Sequence, residues 1–124
     1  MFELGPRQKK WLEFLKNNLD RQHKGTLSNN NCTKFCCLGA AKVVKDNIDI
    51  GNNAKLFSGD SSYTLDSKSD YEYFNFRSDI GEIKGKPATN KKLQSLARIN
   101  DVYGWEKVIE LMEARPEDVF IAPI

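Results

Sequence analysis

The chain has one histidine, three cysteines and no apolar run approaching the roughly 18 residues that a membrane-spanning helix requires. Each shortage excludes a class of protein. The lack of a long apolar run argues against insertion into a bilayer. An odd cysteine count, with Cys36 and Cys37 adjacent, argues against the disulfide framework of a small secreted domain, so reduced thiols are expected. Neither GxGxxG nor GxxxxGK[ST] occurs, which leaves no dinucleotide or phosphate-loop fingerprint and implies no cofactor. His23, Cys32, Cys36 and Cys37 are the one set that could hold zinc, and they lack the paired spacing of structural zinc sites, so no metal is expected. The segment Met1 to Pro6 has no basic start followed by an apolar stretch, and a cytoplasmic location is expected.

What is present suits a single domain: 124 residues, 40% of them hydrophobic and 29% charged. The net charge of +2 hides a segregation along the chain. Residues 1–24 carry six basic groups against three acids, and residues 84–99 carry five basic groups and no acid. Between them, residues 58–82 hold six acids against Lys68 and Arg77. Basic surface of this kind suits an anionic partner, although no DNA-reading motif is visible and direct DNA binding is not expected.

Gly5-Pro6 ahead of a Lys-, Leu- and Glu-rich run predicts a helix to about Leu19, with Trp11, Leu12, Leu15 and Leu19 as its buried stripe. Gly25-Thr26-Leu27 and Thr33-Lys34-Phe35 read as a small hairpin. A second helix is expected from near Cys36 to Asp46-Asn47, with positions 37, 40, 41 and 44 on one face. Residues 51–90 are the most irregular, yet their aromatics need packing partners; Leu56-Phe57, Tyr63 to Leu65 and Tyr71 to Phe76 are expected as short strands. Helices over Lys91 to Ile99 and Trp105 to Ala114 follow, with Asn100-Asp101 between them and Pro116 closing the second. The expected fold is α+β, three to four helices on a small antiparallel sheet. Its aromatic sheet edge is compatible with a homo-oligomer.

Three chemistries fit these residues. A helix beginning near Cys36 offers backbone donors and a positive dipole end to an anion, with Gly39 permitting close approach. Arg7, Lys24, Lys84, Lys86, Lys91 and Arg98 supply charge, while Gln22, Asn100, Asp101 and Tyr103 supply hydrogen bonds to a nucleotide-type ligand. Alternatively, the aromatics and charges from Tyr63 to Arg77 form a protein interface. A third possibility is a thiol enzyme, with Cys37 or Cys36 as nucleophile, His23 as base and Asp101 or Asn100 orienting it. A thiol among small apolar neighbours is more often core, and the non-enzymatic readings are preferred.

Gln8 to Trp11, Gln22 with Gly25-Thr26-Leu27, Phe35-Cys36-Cys37-Leu38-Gly39-Ala40 and the later Ile99-Asn100-Asp101 together resemble small phage and prophage accessory proteins without an assigned activity. These share an FCCLG-like block and a later Leu-Asn-Asp block. A related bacterial domain of unknown function is similar at its Cys-x-Leu-Gly and Asn-Asp positions. The likeness covers both ends of the chain but little of residues 51–90, and Gly104 stands where a Ser or Thr helix cap would be expected. The resemblance implies an accessory protein of an infected bacterial cytosol, one that counters host defence by blocking a defence protein or by sequestering a nucleotide-derived signal.

Overall fold

Helices rather than a sheet organise the computed structural model, which describes residues 2–29, 33–51, 65, 68–84 and 94–124. In chain order these are α1 (Pro6–Asn17), a 3-10 turn (Leu19–Arg21), α2 (Cys37–Asp46), α3 (Lys68–Glu72), α4 (Leu96–Tyr103), α5 (Trp105–Ala114) and α6 (Pro116–Val119). None of them is long and apolar enough to cross a membrane.

The expected antiparallel sheet is not formed among the described residues. Among the described residues, β pairing is confined to isolated bridges: Gln22 with Phe35, Ser28 with Phe35, Phe76 with Phe120, and Glu82 with Ser95. Extended segments are present, but each finds one partner residue instead of a ladder. Phe35 lies between two such segments: its N–H donates to the Arg21 carbonyl at 2.7 Å, its carbonyl accepts from His23 at 2.8 Å, and Cys36 N–H donates to the Leu27 carbonyl at 3.2 Å. The expected hairpin is therefore a clamp around one aromatic residue, and its tip at residues 30–32 lies outside the described residues.

The strand expected over Tyr71 to Phe76 is also replaced. Its first residues complete α3, and Asn75, at φ 60°, turns the chain. Phe74 and Phe76 then both reach Trp11, with ring centroids 6.1 and 5.0 Å from it, and Phe120 closes the cluster at 6.0 Å. The aromatics that read as a strand serve an aromatic cluster and a single bridge instead. Leu65 is buried, with its N–H donating to the Asp79 carbonyl; the rest of the Leu56-Phe57 and Tyr63 to Leu65 strands lies outside the described residues.

Helix α1 starts as its sequence dictates. Pro6 opens the first turn, and the Gly5 N–H donates to Gln8 Oε1 at 2.9 Å. Gln8 is fully buried, and its amide donates to the Phe74 and Ala122 carbonyls, so one side chain joins α1, the aromatic cluster and the C-terminal segment. Trp11, Leu12 and Leu15 are buried, whereas Leu19 belongs to the 3-10 turn and is 39% exposed, which shortens the expected stripe by one residue. Trp11 Nε1 donates to the Cys37 carbonyl at 3.0 Å and locks α1 to the start of α2.

Helix α2 ends at Asn47 in the left-handed conformation, φ 53°, as its breaker residue suggests. Its outer side carries a charge cluster. Lys42 and Lys45 reach Asp70 of α3 at 3.1 and 3.0 Å. The Tyr73 ring lies beneath the Arg7 guanidinium at 4.1 Å and Lys45 Nζ at 5.9 Å. Burial alone would raise the Asp70 carboxyl, but hydrogen bonds and charge from Lys45 and Lys42 together outweigh it and hold the group below the usual carboxylate range.

Because that depressed group is ionised in the fold, its contribution is complete above the unfolded-state pKa and disappears as pH falls through the folded value. Asp70→Asn is expected to cost about 1–3 kcal/mol near neutrality. The difference from wild type should hold constant between about pH 7 and 5 and shrink below about pH 4, near the unperturbed Asp value. Urea unfolding across that range measures it, and a gap that does not narrow with acid would contradict the pairing.

Candidate functional site

Asn100 lies at the centre of the region where the candidate residues meet. It was expected between two helices, but α4 runs through it to Tyr103 and the break comes at Gly104, where φ is 83°. Leu96, Ile99 and Asn100 form the buried stripe of α4, which places the carboxamide in the core against α2. The stripe is helical in period, so the helix continues through residues whose local preference is for caps and turns. The expected start of this helix, residues 91–93, lies outside the described residues; Ser95 caps its described part by accepting the Arg98 N–H at 3.2 Å.

Asn100 does act as a cap, but for another helix. Its Oδ1 accepts the N–H of Cys37, the first residue of α2, at 2.9 Å, and its Nδ2 donates to the His23 carbonyl at 2.9 Å. Gln22 serves α5 in the same way. Its Oε1 accepts the Trp105 N–H at 2.8 Å, while Nε2 donates to the Leu19 carbonyl and to Glu106 Oε1, both at 3.0 Å. Gly104 thus needs no capping side chain, because the cap arrives from residue 22. A Cβ at Gly104 would stand 2.7 Å from Gln22 Oε1. Asp101 completes the corner: its Oδ1 accepts the Gly25 N–H at 2.9 Å, beside exposed Lys24.

The start of α2 does not present free donors to a ligand. Cys37 N–H meets Asn100, Gly39 N–H meets Cys36 Sγ at 3.3 Å, and Ala40 N–H meets the Cys36 carbonyl at 2.9 Å. Gly39 allows a close approach, but by the chain itself: a Cβ there would lie 1.8 Å from the Leu27 carbonyl oxygen. These donors serve the chain itself, which leaves the anion reading without support at this helix end. Nor do the basic residues converge on it. Arg7 is held over Tyr73, the Lys84 N–H donates to the Asp118 carbonyl, and Lys86 and Lys91 lie outside the described residues. Lys24 and Arg98 are exposed near Asp101.

The thiol reading fares no better in geometry. Cys36 and Cys37 are free and buried. Cys37 Sγ donates to the Leu96 carbonyl at 3.5 Å, whereas the His23 ring pairs with Thr26 Oγ1 at 2.9 Å, and Asp101 turns to Gly25 instead of to the imidazole. Burial pushes the Cys36 thiol up to about 12 and raises Cys37 well above its ordinary value. A helix start would acidify a solvated thiol, but loss of hydration outweighs it here. Cys32 lies outside the described residues, and among those described no cluster of His, Cys, Asp or Glu could hold a metal ion.

Sequence reasoning missed two features of this corner. Val102 and Tyr103, at 38% and 45% exposed, end α4 beside Gly104, and Leu19 lies on the turn that Gln22 ties to α5. Val102 stands off the stripe set by Leu96 and Ile99, so its exposure follows once α4 is continued past Asn100. The second feature is an open hollow of about 380 Å³ lined by Gly25, Ile80, Ser95, Ala97, Arg98 and Asp101. Its lining comes from three separate parts of the chain, and no local pattern announces it.

Two outcomes test the structural roles assigned here. Gly39→Ala should destabilise the fold by about 3 kcal/mol, because a backbone carbonyl in a packed core yields poorly to overpacking; chemical denaturation measures this, and an unchanged midpoint would mean the contact is absent. With iodoacetamide at pH 8, Cys36 and Cys37 should label only on unfolding, since on the order of one Cys36 thiol in ten thousand is then ionised. Peptide mass mapping separates them from Cys32, and fast labelling of either in the folded protein would restore the nucleophile.

A scan against protein-family models and searches of curated proteins and solved structures return no match for this chain.

Proposed function

We propose that this is a non-enzymatic phage accessory protein that counters a host defence system by binding and blocking a host protein in the bacterial cytoplasm. The observation that supports a protein partner is that Leu19, Val102 and Tyr103 are exposed on the elements that Gln22 joins, which also carry the exposed charges of Lys24, Arg98, Asp101 and Glu106. An aromatic and aliphatic centre within a polar rim is the composition of an interface core. The surface is rigidly held, because every residue in it belongs to, or adjoins, an element fastened by Gln22 or Asn100. Little conformational freedom would be lost on association. The aromatics from Tyr71 to Arg77 contribute less, since Phe74 and Phe76 are buried and Tyr73 is covered by two cations. The phage setting and the defence target rest on the resemblance at the FCCLG and Asn-Asp blocks.

Sequestration of a nucleotide-type signal has weaker support, because the backbone donors at the start of α2 already serve the chain. Native mass spectrometry of the protein isolated from infected bacteria is the direct test. A host polypeptide should accompany the wild type, and Tyr103→Ala should weaken its binding by about 2 kcal/mol, or roughly thirtyfold. Val102→Asp should do the same while leaving the circular dichroism spectrum unchanged. Absence of any host polypeptide, or retention indifferent to both substitutions, would overturn the reading.

A further inference from the structure

The hollow beside α4 holds two charges that do not neutralise each other. Arg98 and Asp101 are three residues apart on one helix, a spacing at which opposite charges ordinarily pair. Here no ion pair forms between them. Asp101 is held away by its own hydrogen bonds, with Oδ1 accepting from the Gly25 N–H at 2.9 Å and from Asn100 Nδ2 at 3.3 Å. The Arg98 guanidinium has no hydrogen-bond or ion-pair partner among the described residues, and Asp101 Oδ2 has none either. Between and beside them, Ile80 and Ala97 supply apolar surface, and Ser95 supplies a hydroxyl. The volume of about 380 Å³ lies within the range of small-molecule sites.

We propose that this hollow binds a small zwitterion, with a carboxylate on Arg98 and a protonated amine on Asp101. Guanidinium and carboxylate match in planar, bidentate fashion, and Asp101 Oδ2 is a pure acceptor suited to an ammonium donor. Local charge balance sets the class. Among the described lining residues the charged ones are Arg98 and Asp101, one of each sign. A nucleotide di- or triphosphate would meet one guanidinium and a repelling carboxylate, whereas a ligand of zero net charge finds both of its ends answered. Asp101 is fixed before binding, so that end of the hollow loses little freedom when a ligand arrives. The site shares Arg98 and Asp101 with the rim of the interface proposed above, but its test reads small-molecule occupancy and needs no protein partner.

A ladder of ω-amino acids of increasing length (glycine, β-alanine, γ-aminobutyrate and δ-aminovalerate) probes it, with acetate, methylammonium and AMP as comparators. Backbone amide shifts of Gly25, Ser95 and Arg98 in nuclear magnetic resonance spectra report occupancy. Saturable shifts should appear for one or two lengths of the ladder and be at least tenfold weaker with acetate or methylammonium. Arg98→Gln and Asp101→Asn should each weaken the best ligand at least tenfold; Asn retains an oxygen for the Gly25 N–H, and unchanged shifts of buried core amides verify the fold of both variants. The proposal is overturned if AMP or acetate binds as tightly as every zwitterion, if either variant binds like wild type, or if no probe moves these amides.

Discussion

The carboxamide of Asn100 is the constraint on which this fold turns. It is buried, it belongs to α4, and it supplies the missing hydrogen bond at the start of α2 while holding the His23 carbonyl with its other end. A buried amide left unpaired costs several times what a satisfied one contributes, so α2, α4 and the loop at residue 23 must adopt their positions together. Gln8 plays the same part at the other end of the core, where it ties α1 to Phe74 and Ala122. Two neutral amides thus fix the layout that a sheet would otherwise have provided, and the aromatic cluster around Trp11 fills the space between them.

That economy of polar groups shapes what the surface can do. Donors that elsewhere would greet an anion are directed inward, and the thiols beside them are dehydrated packing elements. What remains outside is a corner of fixed geometry, apolar at Leu19, Val102 and Tyr103 and evenly charged around the hollow. The buried thiols belong to the packing beneath that corner. Cys36 illustrates the point: its sulfur accepts the Gly39 N–H and so caps a helix, a role usually given to oxygen.

Local signals were legible wherever the chain itself supplies both halves of an interaction. Pro6 after Gly5, the small-residue face of Cys37, Ala40 and Ala41, and Asn47 at the end of α2 each carry their own instruction. The aromatics from Tyr71 to Phe76 misled toward a sheet because β-propensity marks residues that suit a half-buried surface, with or without a neighbouring strand. Asn100-Asp101 misled in the other direction. Their intrinsic preference is for turns, and tertiary burial overrides it. The caps at Cys37 and Trp105 were not legible at all, since their acceptors lie 63 and 83 positions away.

Those separations bear on the order in which the molecule assembles. The joint between α4 and α5 has a glycine at its hinge and no capping side chain of its own, so its cap comes only with the segment around Gln22. Closing loops of that length costs entropy before the hydrogen bonds repay it. The aromatic cluster carries the same cost, because Phe74, Phe76 and Phe120 all lie far along the chain from Trp11, and the α1–α2 contact, 26 positions from Trp11 to Cys37, is the more local one.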